Sequence, residues 1–300
     1  MKEVKLTPKK VALAIGVSES SMKRWCDRGL IDFKTTAGGH RRLLQKSVID
    51  FLRNSKHSLV RSELLGLPAG IRPSDRDQLT AKLDFLTAVL DGQEQVARQI
   101  VFELFISGLS VADIGDKVVR ESFSEIGRQW ECGRLEIFRE RRACEITLRV
   151  LSELRTFLPE PHENAPFAIG GSPGKSGYTL PTMLIEMLFL ERGWRAQSLG
   201  SNLPFSTLME AVQHQRPRLF WLSVSDVEDE NTFLAEFNQF RQVLPRETVL
   251  AVGGSALTAQ LRQKMQFSAY GDTLKQLEAL ADSLKGNAVT VNRLGNISNY

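Results

Sequence analysis

Apolar residues recur along this chain with two different periods, and the change falls near residue 165. Between 75 and 158 they return every three or four residues. Leu79, Leu83, Leu86 and Leu90 form one stripe, closed by Asp91-Gly92. Val96, Ile100, Val101, Leu104 and Phe105 form a second, closed by Gly108. Val111, Ile114, Val118, Val119, Phe123 and Ile126 form a third that runs to Trp130 and breaks at Gly133. Residues 137–158 form a fourth. Such spacing puts the apolar side chains on one helix face. Four helices with short joints predict a four-helix bundle over 75–160. A hinge follows at 162–166. From 167 on, short apolar runs at 167–169, 196–199, 219–224, 249–252 and 267–270 read as strands, each followed by a helix. That alternation predicts a five-stranded, doubly wound parallel sheet of flavodoxin-like form over 166–286. Ligands of such sheets sit beyond the carboxyl ends of the strands. Those ends are 170–178, 200–204, 223–226, 253–256 and 271–273, and several are rich in Gly or Ser. Residues 287–300 are polar and read as a flexible tail.

The first 58 residues follow a different plan. Thr7-Pro8 opens a helix with Val11, Ala12 and Ile15 on its apolar face. Gly16 ends it, and Ser18 can cap the next. In that second helix Met22 and Trp25 face inward with Val17. Ser20, Ser21, Lys23, Arg24, Asp27 and Arg28 are left outward, and Gly29 ends the helix. A hairpin follows, 30–33 returning as 42–44, with Gly38-Gly39 supplying a tip that can take positive φ. The tip carries Lys34, His40, Arg41 and Arg42. A third helix, 45–55, turns Val48, Phe51 and Leu52 inward. The stretch 59–74, marked by Gly66, Pro68, Gly70 and Pro73, reads as a linker with one short helix.

Charge sharpens this picture. Residues 1–60 hold 13 Lys and Arg against 5 Asp and Glu, a net of +8, while the whole chain is +4, so residues 61–300 carry −4. Positive charge gathered on a short polar helix and an adjoining hairpin is the electrostatic footprint of a double-stranded DNA reader. Ser20, Ser21, Lys23 and Arg24 are the candidates for base edges, with Arg28 beside them. Lys34, His40, Arg41 and Arg42 are the candidates for phosphates. Specific reading by one short module calls for a homodimer or higher homo-oligomer. The three cysteines, Cys26, Cys132 and Cys144, are far apart and odd in number. Together with the lack of a membrane-length apolar run and of an apolar leader, they set the expectation of a cytoplasmic protein. The four histidines, His40, His57, His162 and His214, are too scattered to define a metal site.

The head carries a resemblance. Ser21-Met22-Lys23-Arg24-Trp25, then Gly29-Leu30-Ile31, then Gly38-Gly39-His40-Arg41-Arg42 is similar to the winged helix-turn-helix of MerR-type transcriptional regulators, over residues 4–55. Nearly the whole chain resembles the cobalamin-dependent CarA and CarH regulators. Trp130, Glu140, Gly193-Trp194, Leu199-Gly200, Ser223-Val224-Ser225 and Gly253-Gly254 carry that likeness. It implies a bundle that caps the upper face of a corrin, and a sheet domain that receives the lower face and nucleotide tail. It marks Trp130, Glu140, Arg141, Tyr178, Ser223, Ser225, Gly253 and Gly254 as candidate cofactor contacts. The family's axial histidines have no counterpart. Ser176, Tyr178 and Pro181 stand at the Asp-x-His-x-x-Gly positions, and Arg141 stands where Glu-His would end. A guanidinium has no lone pair for cobalt, and a phenol with pKa near ~10 is a poor ligand at neutral pH. Three readings stay open: a domain that kept its shape and acts through a protein partner or another ligand, a cobalamin site without histidines, and a dimerisation scaffold. For Trp130 alone the plainer reading is a core residue, and for Glu140-Arg141 a charge network.

Gly170-Gly171-Ser172-Pro173-Gly174-Lys175-Ser176 follows a strand and precedes a helix, as a phosphate-binding loop does, yet it is one residue short. Nucleotide or anion binding through 170–177 is the alternative from another class. No nucleophile elbow, paired-carboxylate or His-Glu-x-x-His pattern is present, which points away from an enzyme. The sequence therefore reads as a DNA-binding transcriptional regulator, with cobalamin as the cofactor to test.

Overall fold

A computed structural model describes residues 4–55, 57–73, 77–174 and 177–294, with side chains as far as 285. The chain forms two compact units, residues 1–158 and 159–300.

The first unit begins with β1 (Lys5–Leu6), α1 (Pro8–Ile15), α2 (Glu19–Asp27), β2 (Phe33–Thr35), β3 (Arg41–Leu44) and α3 (Gln45–Asn54). The caps are those the side chains dictate. Thr7 Oγ1 accepts from Lys10 N–H, and Ser18 Oγ accepts from Ser21 N–H. Gly16 turns left-handed at φ +78° so that its N–H reaches Ala12 O. The strands pair antiparallel in the order β1-β3-β2, with Lys34 opposite Arg42 and Thr35 opposite Arg41. Val11, Ile15, Met22, Cys26, Ile31, Leu43, Val48, Ile49 and Leu52 are buried beneath them. Trp25 of α2 packs on Phe51 of α3 and on His57, with ring centroids 4.7 and 4.6 Å away.

Residues 59–73 are not an open linker. Val60 and Arg61 donate to Ala14 O, at 2.8 and 3.1 Å. A 3-10 turn, Ser62–Leu65, lies against α1 and buries Leu59, Leu65, Leu67 and Ile71. Ser62 Oγ donates to Pro68 O and accepts from Ile71 N–H. The Gly and Pro residues that suggested a loose stretch shape a packed strap, since its apolar residues repay the ordering.

The bundle comprises α4 (Gln78–Asp91), α5 (Glu94–Ile106), α6 (Val111–Ile114), α7 (Glu121–Glu131) and α8 (Ile137–Arg155), with a π-helical turn, Gly115–Arg120, joining α6 to α7. Phe85, Val89, Ile100, Phe102, Phe105, Val118, Ile126, Ile146, Val150 and Leu154 fill its core. The leucine stripe of α4 holds over its second half, where Leu86 and Leu90 are buried, while Leu79 and Leu83 are 62% and 51% exposed. Ala81, Phe85, Ala88 and Val89 face inward instead. The head is pinned to the bundle by Arg53. Its guanidinium lies over Phe105, 3.9 Å from the ring centroid, and donates to the carbonyls of Phe105 and Leu109 at 3.1 and 3.0 Å. Both carbonyls lie at or just beyond the negative end of α5, where a cation is favoured. Gly108, at φ +94°, makes the approach feasible, because a Cβ there would lie 2.9 Å from Arg53 O.

The second unit alternates β4 (Phe167–Gly171), α9 (Leu180–Glu191), β5 (Arg195–Ser198), α10 (Phe205–Gln215), β6 (Leu219–Ser223), α11 (Glu230–Val243), β7 (Val249–Gly253), α12 (Ala259–Gln263), β8 (Ala269–Tyr270) and α13 (Leu274–Leu294). All strands are parallel, in the order β5-β4-β6-β7-β8. The switch point, where ligands enter folds of this class, falls at β4/β6. Side chains of β6 alternate between two cores. Phe220 and Leu222 join Phe205, Phe237 and Phe240 under α10 and α11, while Trp221 meets Thr182 and Phe189 of α9. Helix α13 lies along α9, where Arg192 holds Asp282 at 2.7 Å and Lys285 donates to Arg192 O. The helix continues to Leu294, past the start of the expected tail at 287. Residues 295–300 lie outside the described residues.

The Arg53 contacts carry a prediction. Arg53→Ala should cost the first unit about 2 kcal/mol by removing a stacked cation and two charge-assisted hydrogen bonds. A thermal melt should show a fall of roughly 4–8 °C. An unchanged melt would mean that the head is held by its apolar contacts alone.

Candidate functional site

On the head, α2 and the β2–β3 hairpin present most of the expected residues to solvent. Ser20, Lys23, Arg24 and Arg28 are exposed on α2, and Lys34 and His40 on the hairpin. Ser21 is half-buried in the helix cap, its hydroxyl 3.0 Å from Ser18 Oγ. Lys23 pairs with Glu19 at 3.5 Å, an exposed contact that adds little. The hairpin tip is ordered by backbone bonds from Thr36 to His40 O and from Gly39 to Thr36 O. Arg42 is half-buried, and its guanidinium donates to Arg41 O. Arg41 differs from the phosphate role expected of it. It donates to Lys23 O at 3.0 Å, pairs with Asp27 at 2.7 Å and lies over Phe33, 4.9 Å from the ring centroid. It braces the hairpin against α2. The pairing with Asp27 depends on a fold that brings residues fourteen apart together, which no local pattern announces.

The bundle separates the candidates that the sequence placed together. Trp130, near the end of α7, is 49% exposed and therefore not a core residue. Ile137 and Phe138, at the start of α8, are exposed as well. Glu140 is buried and Arg141 is exposed, so the two neighbours do not share one face. Arg139 and Arg142 are turned instead to the end of α4, where both donate to Leu90 O. Burial, then the Glu140 carboxylate, pushes the Cys144 thiol up to about 11. A thiol so protonated is a poor nucleophile at neutral pH.

At the carboxyl edge of the sheet, strand ends pack on each other. A Cβ at Gly171 would lie 2.9 Å from Gly200 O, and one at Gly253 2.6 Å from Gly271 O. Gly254, at φ +118°, lies against the backbone of Val224. These glycines, read as room for a ligand, let neighbouring loops approach. Ser223 is buried and Ser225 half-buried. Ser172 N–H donates to Gly200 O, and Gly174 N–H to Leu203 O. Two amides that a phosphate cradle would need are thus committed, which weakens the anion reading of 170–177. Residues 175 and 176 lie outside the described residues. The Ser172 hydroxyl is buried and has no partner among the described residues. Tyr178, 44% exposed, precedes α9. Neither histidine of this unit lies at the carboxyl edge. His162 precedes β4, and His214 sits in the last turn of α10, so both belong to the amino ends of the strands. Among the described residues no group of three or more His, Cys, Asp or Glu is placed to hold a metal.

Comparison with known proteins gives this geometry a class. The family model described as "B12 binding domain" matches residues 83–155, most of the bundle. The monomethylamine corrinoid protein of Methanosarcina barkeri is similar in fold, with 13% identity and a TM-score of 0.57 over 69% of this chain and 98% of that one. A cobalamin-binding protein from Desulfitobacterium hafniense DCB-2 matches at 13% identity and TM-score 0.37, over 69% and 98% of the two chains. The methanol:cobalamin methyltransferase complex of Methanosarcina barkeri matches at 13% and 0.38, over 69% and 80%. No curated protein sequence matches the chain. A helical bundle followed by a five-stranded parallel sheet is the cobalamin-binding type of fold, and this chain has it.

The residues present do not fit the histidine-ligated form of that site. The carboxyl edge offers no imidazole, and Trp221 fills the space beside Gly170. Sequence reasoning missed Trp221, although a tryptophan in one strand facing glycines in the next is a readable sign of it.

Gly254→Ala is expected to destabilise the second unit by about 2 kcal/mol or more, because φ and contact both exclude a Cβ. A denaturant melt checks this. A neutral result would show that the β7 loop can relax, and would return Gly254 to the ligand candidates.

Proposed function

We propose that the protein is a sequence-specific, DNA-binding transcriptional regulator whose residues 77–294 form a sensing module of the cobalamin-binding type. One observation carries the DNA part: α2 exposes Ser20, Lys23, Arg24 and Arg28 beside a cationic hairpin that Arg41 braces against it. In this reading the head is a winged helix-turn-helix of the MerR type, with α2 in the major groove and the hairpin along the phosphates. Lys34, His40 and Arg42 supply phosphate contacts, and Arg41 positions the hairpin. The chain works as a homodimer or higher oligomer on paired half-sites, in the cytoplasm and without a chemical step of its own. No helix among the described residues is long and apolar enough to cross a membrane.

Roles separate by mutation. Lys23→Ala with Arg24→Ala should lower the preference for a selected site over random duplex by roughly 10–100-fold. Lys34→Ala with Arg42→Ala should weaken all duplexes alike and reduce the log–log salt slope by about two per head. Mobility shifts across a salt series read both effects. A wild-type chain that ignores random duplex even at low salt would sink the DNA reading.

The family match over 83–155 favours a second reading, in which a corrinoid is the ligand sensed. Trp130, Ile137 and Phe138 are exposed on the bundle and offer apolar side chains to a flat ring. When bound, the corrinoid would supply a light- or redox-sensitive cobalt centre, and the chain's part is to hold it. Protein mixed with adenosylcobalamin in the dark and desalted is expected to emerge with the corrin bands. Colourless protein would reject the corrinoid and leave a protein partner or another ligand as the signal.

A further inference from the structure

We infer that Trp221 closes the α/β unit to the nucleotide tail of a corrinoid, so that any corrinoid this chain takes is recognised through its ring. The inference rests on the corrinoid reading above. It starts from Gly170 and Trp221, which stand opposite each other on β4 and β6, at the switch point of the sheet. A Cβ built on Gly170 would fall 2.5 Å from the indole carbons Cγ and Cδ2. The carbonyl oxygen of Trp221 would lie closer still, so the indole and its own backbone together occupy the space that a side chain at position 170 would need. Phe189 and Thr182 hold the indole in position. Phe189 stacks on it at 5.7 Å with an interplanar angle of 17°, and Trp194 meets Phe189 edge-on at 5.2 Å. The indole N–H donates to Thr182 Oγ1 at 2.9 Å, and that oxygen lies 3.0 Å from Ser198 Oγ.

A tail entering at the carboxyl edge has two interior faces to follow. Between the sheet and α9 it meets Trp221, Phe189 and Trp194, all fully buried. Between the sheet and α10–α11 it meets the continuous aromatic core of Phe205, Phe220, Phe237 and Phe240. Interiors at crystal-like density hold no bicyclic base without expelling something of equal size. The indole is itself a fused bicycle of about the size of a benzimidazole. The carboxyl edge has no histidine to take the place of that base, which agrees with this closure.

The test compares hydroxocobalamin with cobinamide, which has the ring and lacks the nucleotide, on the full chain and on Trp221→Ala. Equilibrium dialysis gives affinity, and the absorbance spectrum tells whether the benzimidazole stays on cobalt. For the wild type the two affinities should agree within about threefold, with cobalamin bound base-on. Trp221→Ala should favour cobalamin by about tenfold or more and shift its spectrum to base-off. Circular dichroism monitors the variant's fold, and if it fails to fold the wild-type ratio decides. A wild type that takes cobalamin base-off, with a preference of about tenfold, overturns the closure and leaves the corrinoid reading intact. Uptake of cobalamin by Trp221→Ala alone supports the closure and removes the corrinoid from the native chain's function. Uptake of neither corrinoid by either protein overturns both.

Discussion

The indole of Trp221 lies on Gly170, and the packing of two central strands in the α/β unit depends on that pair. Because β4 carries no side chain at this point, β6 can place its largest residue against it. Because the residue is a tryptophan, its N–H must find a partner, and Thr182 of α9 supplies the oxygen. One side chain thus joins β4, β6 and α9. The same economy runs along the carboxyl edge, where Gly171, Gly253 and Gly254 admit neighbouring backbone rather than an outside group. The unit has the cobalamin-binding type of fold, and these glycines lie against its own loops.

In the first unit a comparable dependence centres on arginines that reach between elements. Arg53 ends α5, Arg142 and Arg139 end α4, and Arg41 ties the hairpin to α2. Each donates to backbone carbonyls of a helix or of the turn beside it. The cations that suggest nucleic acid are therefore of two kinds. Arg41 and Arg53 meet carbonyls or carboxylates far along the chain and hold the head in shape, while Lys23, Arg24 and Arg28 are exposed on or beside α2. Counting charge along the sequence does not separate the two kinds, because the difference lies in where Asp27 and the end of α5 stand in space.

Much of the architecture was legible. The change of apolar period near 165 marks the passage from bundle to sheet, since 3.6-residue and strand spacings have different physical causes. Thr7, Ser18, Gly16 and Gly92 mark helix ends through capping chemistry that is local. Less was legible wherever a segment's partner lies far away in sequence. The strap at 59–73 looks like a linker until Ala14 and α1 are beside it. Leu79 and Leu83 look like core until Phe85 and Val89 take the inner face. Trp130 is exposed although it is the kind of residue usually buried, and Glu140 is buried although it is charged.

The sequence by itself determined the order of elements, the parallel sheet behind a helical bundle, the concentration of positive charge in the first 60 residues and the lack of an imidazole near the first strand's carboxyl end. These follow from periodicity, capping and residue identity, which need no distant partner. Only the tertiary structure decided which arginines are braces, that the head is held against the bundle, and that glycines at the strand ends serve packing. Those outcomes depend on pairs such as Arg53 with Phe105 and Gly170 with Trp221, whose members are brought together by the fold. Burial and hydrogen bonding are properties of such pairs, and a chain read one position at a time does not contain them.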